Sequence, residues 1–98
     1  MIKIDLGLGN NALYQGCEVT EVGGRLTLIT EPAEASNIVG RNAIAIIEAT
    51  PADQRDEVVL TGPMAVWAYL VVFHQVVHKF RKVVYDDGRG GLVLVAQH

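Results

Sequence analysis

Cysteine is nearly absent from this chain: Cys17 is the single one among 98 residues. That excludes an internal disulfide framework and any Cys-x-x-Cys zinc or redox site, and it makes the cytoplasm the expected compartment. Charge is sparse as well. Only 19% of residues are charged, and 8 Lys and Arg against 11 Asp and Glu leave a net charge of −3. A generally basic surface is lacking, so double-stranded DNA is not an expected partner. No apolar run reaches the roughly 20 residues that a bilayer-spanning helix requires, so no membrane partner is expected. Met1-Ile2-Lys3-Ile4-Asp5 has no basic segment followed by an apolar one, so it reads as a strand and not as a signal peptide. Gly-x-Ser-x-Gly and Walker-type loops are missing too.

Apolar residues are what the chain does have, at half of its length. Low charge with high apolar content specifies a folded unit, and the length suits a single domain, 1–98, with one core between two packed layers. The excess is concentrated where Met64 to Phe73 form ten consecutive apolar residues. This run predicts a helix buried on most sides. A small monomer can rarely enclose such a helix, which points to a homo-oligomer.

Periodicity and turn chemistry divide the rest. Met1 to Leu6 reads as a strand and Gly7 to Asn11 as a turn. Leu13 to Val22 and Arg25 to Thr30 flank Gly23-Gly24, a hairpin signal. Pro32 to Val39 predicts a short helix ended by Gly40, while Ala43 to Ile47 suits either a helix or a buried strand. Thr50 to Asp56 reads as a loop and Glu57 to Thr61 as a buried strand. Pro63 fits the first turn of a long buried helix over about residues 63–80. Strands at Lys82 to Tyr85 and Leu92 to Ala96 flank a turn through Asp86 to Gly91. The fold class expected is α/β with a mixed sheet, because strand, helix, strand is the unit of a parallel crossover.

Several patterns bear on chemistry. Gly7-Leu8-Gly9-Asn10-Asn11-Ala12 nominally fits a dinucleotide fingerprint, but β-forming Val19, Thr20 and Val22 follow where a helix is needed. A turn between two strands is the better reading. Gly62-Pro63, between a strand and a helix N-terminus, offers bare backbone N–H groups to a phosphate, or is simple punctuation. Trp67 is a core residue or a stacking surface for a base. His74 and His78 are four apart, projecting from one face if the helix continues; they can handle protons or a metal, or only cap the helix end. Residues 79–89 hold Lys79, Arg81, Lys82 and Arg89 against Asp86 and Asp87, a local +2 that leaves −5 elsewhere. This segment can attract an anion locally.

Leu60-Thr61-Gly62-Pro63, Trp67, His74, His78, Val84-Tyr85-Asp86-Asp87-Gly88-Arg89 and Val93-Leu94-Val95-Ala96-Gln97-His98 together resemble a known family. It is the CRISPR-associated Csx-three family of type III systems, also described as a ring nuclease, and the match covers residues 57–98. The resemblance implies a Rossmann-like domain that dimerises, with dimers able to stack on the ligand. It also implies binding and cleavage of cyclic tetra-adenylate, a short RNA messenger of antiviral signalling, with a divalent metal, typically manganese. Carried over by position, Asp86 or Asp87, Arg89 and His98 match the family's Asp, Arg and terminal His, and His74 matches its first helix histidine. His78 keeps the second of two adjacent histidines, Val77 stands in place of the first, and the turn is one residue longer. The resemblance therefore implies His78, Asp86, Asp87, Arg89 and His98 as catalytic residues, with Gly62, Pro63, Trp67 and His74 as substrate-binding ones. Sequestration of the messenger without cleavage is the alternative that Val77 favours.

Overall fold

The computed structural model describes residues 1–98 and has the expected α/β class. Strand β1 (Ile2–Asp5) leads into a one-turn helix α1 (Asn11–Tyr14), and a hairpin follows, β2 (Val19–Val22) and β3 (Arg25–Leu28). Helix α2 (Pro32–Glu48), strand β4 (Glu57–Thr61), helix α3 (Val66–Val76), β5 (Lys82–Asp86) and β6 (Leu92–Gln97) complete the chain. The main sheet has the order β1-β4-β5-β6; β1, β4 and β5 run parallel, and β6 returns antiparallel at the edge. A four-stranded mixed sheet is thus present.

Alternation selects the packed face. Ile4, Leu6, Val58, Leu60 and Val83 are buried with Val39, Ala43 and Ile47 of α2 and Ala68, Val72 and Val76 of α3. Tyr14 is buried against the same core and donates its hydroxyl proton to the Leu6 carbonyl. Asn42 of α2 donates to the carbonyls of Leu13 (2.7 Å) and Gln15 (2.9 Å), tying α1 to the helix layer. Arg55 closes the other end of α2 by donating to the Thr50 and Ile47 carbonyls, the latter also accepting from the Thr50 amide at 3.0 Å; a basic side chain at a helix C-terminus commonly bonds its last carbonyls in this way.

Three expectations are corrected. The segment after β1 is not a bare turn between strands. Asn10 accepts from the Leu13 amide and caps α1, which takes Leu13 and Tyr14 out of the predicted strand. Gly40 does not end a helix: α2 runs through it, because its missing side chain faces Val71 of α3 and the helix–helix contact stabilises the turn. The helix predicted over 63–80 is shorter at both ends and only half buried. Ala68, Val72 and Val76 are inaccessible, whereas Val66 is 73% and Leu70 63% exposed. An apolar run makes a helix without deciding how much of its circumference the chain can cover.

The hairpin stands apart from the main sheet and pairs only with itself. Gly23 (φ 59°) and Gly24 (φ 80°) have the two positive dihedrals that a tight hairpin turn requires, as their sequence predicts. No helix is long and apolar enough to cross a membrane.

Candidate functional site

The parallel strands β1, β4 and β5 end on one side of the domain, so the segments that follow them meet there. This carboxyl edge is where ligands bind in open α/β sheets. Gly62 turns the chain out of β4 at φ +101° and comes so close to β1 that a Cβ would stand 2.1 Å from Asp5 Oδ1 and 2.9 Å from the Gly7 nitrogen. Asp5 Oδ1 in turn accepts from the Gly7 amide at 2.7 Å. Pro63 lies outside the helix, since α3 starts three residues later at Val66, and its N-cap Ala65 has no side-chain oxygen to satisfy the first-turn amides. The positive end of α3 is therefore uncapped by the protein.

Opposite Gly62 and Pro63 stands the turn after β5. A cleft of about 220 Å³ separates them, lined by Thr61, Gly62, Pro63, Tyr85, Asp86, Asp87 and Gly88. Asp86 Oδ1 accepts from the Gly88 amide at 2.9 Å, and Asp87 Oδ1 accepts from the amides of Arg89 (2.7 Å) and Gly91 (3.0 Å). The Asp87 amide donates to the Gly91 carbonyl at 3.1 Å, which closes the turn. Both acids thus organise the backbone that carries Arg89, an exposed residue whose guanidinium takes part in no ion pair. The structure brings Gly62, Pro63, Asp86 and Asp87 together around this cleft, and Arg89 is the residue directly after the last lining residue, Gly88, without lining the cleft itself.

The histidines are elsewhere. Helix α3 ends at Val76, so His78 lies in the following turn and not on a shared helix face with His74, a correction caused by the turn through Val77 to Phe80. His98 follows β6 and donates its amide to the Arg81 carbonyl at 2.8 Å. Its ring lies 5.4 Å from that of His78, centroid to centroid, and Nε2 is 2.7 Å from the Val77 carbonyl oxygen. A carbonyl only accepts, so Nε2 carries the proton and Nδ1 is the free nitrogen. This pair sits beside the start of β5, whereas the acids sit at its end. At about 3.3 Å per residue the two groups are roughly 15 Å apart. His74 is exposed on the last turn of α3, and Trp67 packs half-buried against the core without lining the cleft.

One copy offers no closed set of protein ligands for a divalent metal, although Asp86 and Asp87 line one cleft and could hold such an ion together with ligand phosphates. Nowhere do three or more His, Cys, Asp or Glu side chains converge. Two tyrosines belong to the cleft region: Tyr85, which the sequence pattern carries in the resemblance without a site role, and Tyr69, which it does not mark. Tyr69 donates its hydroxyl proton to the Gly62 carbonyl and meets Tyr85 edge to face, with ring centroids 5.4 Å apart and planes at 83°. Burial, then Tyr85, Asp5 and Asp86, push the Tyr69 phenol up to about 12, since both desolvation and nearby negative charge disfavour the phenolate. No signal in the sequence marks Tyr69, which lies inside the apolar run; the contact becomes visible only once Gly62 is placed. Compared with protein-family models, curated proteins and solved structures, the chain matches none.

Proposed function

We propose that this chain binds cyclic tetra-adenylate and opens its ring by phosphodiester cleavage. The observation that carries the reading is the cleft at the carboxyl edge. Two segments far apart in sequence, Gly62-Pro63 and Asp86-Asp87-Gly88, meet around a space that admits one phosphodiester; in the chain these segments run on into the uncapped start of α3 and into the unpaired Arg89. These are the segments on which the resemblance to the Csx-three family rests.

Ring opening requires a base to take a proton from the attacking 2′-hydroxyl or water, an acid to protonate the departing 5′-oxygen, and positive charge on the phosphate between them. Arg89 supplies the charge, and Asp87 fixes the turn that presents it. Asp86 Oδ2 or Asp87 Oδ2 orients the nucleophile. Of His98, at its free Nδ1, and His78 beside it, one takes the proton from the nucleophile and the other delivers a proton to the departing 5′-oxygen. A divalent metal, where bound, would be held by Asp86 and Asp87 with ligand phosphates and would add positive charge there; no step of this scheme is routed through it.

The separation of roughly 15 Å between histidines and acids makes a second copy part of the proposal. Strand β6 is an unpaired edge with Leu92, Val93, Leu94 and Val95 each 49–67% exposed, and Val66 and Leu70 of α3 are exposed as well. An exposed apolar surface of this kind marks an interaction site. Antiparallel pairing of two β6 edges about a twofold axis brings the His98 end of one copy beside the Asp86 to Arg89 turn of the other, and identical clefts then meet identical phosphates of the ring.

The test is incubation with labelled cyclic tetra-adenylate, with manganese or with a chelator, beside Asp87→Ala, Arg89→Ala and His98→Ala. Linear product from the native protein, and its loss in the variants, is expected. Unchanged turnover in all three variants refutes the site. The separation of the histidines within one copy also favours a second reading, sequestration of the messenger, which predicts stoichiometric binding and no product under any condition.

A further inference from the structure

The hairpin contributes a cation that neither the resemblance nor the sequence pattern singled out. Arg25 is the first residue of β3, directly after the Gly23-Gly24 turn, and it is exposed. It lines a second cleft of about 500 Å³ together with Gly7, Leu8, Gly9, Leu26 and Pro63. Pro63 is shared with the acid-lined cleft, so the two spaces flank one residue. Arg25 takes part in no ion pair; the chain's one ion pair joins the Met1 ammonium to Asp56. The amides of Leu8 and Gly9 donate to no protein acceptor, whereas the neighbouring Gly7 and Asn10 amides are both occupied. Unused backbone donors and an unpaired guanidinium in one cleft, with apolar Leu8 and Leu26 in its walls, match a phosphodiester carrying a nucleobase.

We infer that Arg25, with the Leu8 and Gly9 amides, holds a second phosphate of the ligand whose first phosphate lies against Arg89. The inference rests on the functional reading above and deepens it, because it assigns the ligand at least two phosphates bridging Pro63. It also gives the hairpin a task. A two-stranded ribbon is marginal by itself, and a bound polyanion fastens it to the β1 loop.

The test is a ¹⁵N-NMR titration of the native protein, Arg25→Ala, Arg25→Lys and Arg89→Ala with cyclic tetra-adenylate and, separately, with inorganic phosphate. Affinities for the ring are measured in parallel at several salt concentrations. With the ring, shifts are expected at Leu8, Gly9 and the Arg25 side chain as well as at Gly62 and Arg89. Arg25→Ala should weaken ring binding by about tenfold and flatten the logarithmic salt slope by about 0.7, the loss of one phosphate contact on a single strand. Arg25→Lys should retain the slope, as a charge contact does. Ring-induced shifts confined to Gly62 and Arg89, or an unaltered salt slope in Arg25→Ala, overturn the second phosphate site and leave the functional reading standing. Shifts at Leu8, Gly9 and Arg25 with inorganic phosphate but no ring binding sustain the anion site and overturn the functional reading. No shifts with either ligand overturn both.

Discussion

Replacing Gly62 by alanine tests how the candidate cleft is built. The new methyl group meets three constraints at once. The backbone stands at a positive φ of 101°. An L side chain in the left-handed region costs roughly 1 to roughly 2 kcal/mol. The methyl would lie 2.1 Å from Asp5 Oδ1, so the carboxylate must swing away and release the Gly7 amide. Loss of that hydrogen bond costs about 1 kcal/mol. The methyl would also stand 2.9 Å from the Gly7 nitrogen and 3.1 Å from the Leu6 nitrogen. The Leu6 amide is held by the Thr61 carbonyl at 2.7 Å, so retreat of that backbone strains the end of the β1–β4 ladder. Overpacking of this kind costs roughly 1 to roughly 3 kcal/mol. The total is about 3 to about 6 kcal/mol, a large share of the roughly 5 to roughly 15 kcal/mol expected for a domain of this size. Thermal melting followed by circular dichroism should show a loss of about 12 °C or more, at about 4 to about 8 °C per kcal/mol. Gly88→Ala is the control, with φ +77° and no atom within 4 Å of the added methyl, so only the dihedral cost applies. Gly62→Ala should melt at least about 8 °C below it. Equal melting temperatures for the two variants refute the close approach of Gly62 to β1.

Gly40→Ala should do the opposite. The nearest atoms to its Cβ are Val71 Cγ1 at 3.6 Å and Gln75 Nε2 at 3.9 Å, which is ordinary contact. The helix-propensity gain of roughly 0.5 to roughly 1 kcal/mol should therefore raise the melting temperature by a few degrees. Alkaline pH should destabilise the fold through Tyr69. With a folded value near 12 against 10 in the unfolded chain, the unfolded state holds fewer protons between these limits. Stability contributed by the protonated phenol is thus complete below pH 10 and lost as pH rises toward 12. The slope is at most about 1.4 kcal/mol per pH unit, and solvent screening of this partly exposed group makes it smaller. Denaturant titrations of the native protein and Tyr69→Phe across that window should diverge with this sign. Leu94→Asp should leave the melting temperature of the dilute protein within about 2 to about 4 °C, since an exposed site typically changes stability by about 0.5 kcal/mol. Light scattering should find the native chain dimeric and this variant monomeric; a native monomer at all concentrations removes the β6 interface.

Local signals located the strands that matter. Glu57 to Thr61 coincides with β4, and the Lys82 and Leu92 starts of β5 and β6 were legible because each apolar run begins next to charge or glycine. The acid turn and its proximity to Gly62 follow from parallel pairing of β4 with β5, which the strand, helix, strand order already implied. What was not legible depends on tertiary contact. Gly40 breaks no helix because α3 packs on it, and the end of α3 at Val76 has no proline or glycine to announce it. The separation of His98 from Asp87 is hidden by their closeness in sequence, since an antiparallel return places residues eleven apart at opposite ends of the same strand pair. Arg25 was unremarkable as a hairpin residue until the loop after β1 was seen beside it.

The distance between the histidine pair and the acid turn along β5 and β6 has a kinetic meaning for the proposed two-copy scheme. A catalyst whose proton-transfer group and phosphate clamp come from different chains has no activity at infinite dilution. Its turnover rises with the square of its own concentration until the pairs are saturated, then linearly. Under the ring cleavage proposed above, such a protein ignores a brief burst of messenger when scarce and erases the signal abruptly once it accumulates, so its expression level sets the duration of the response.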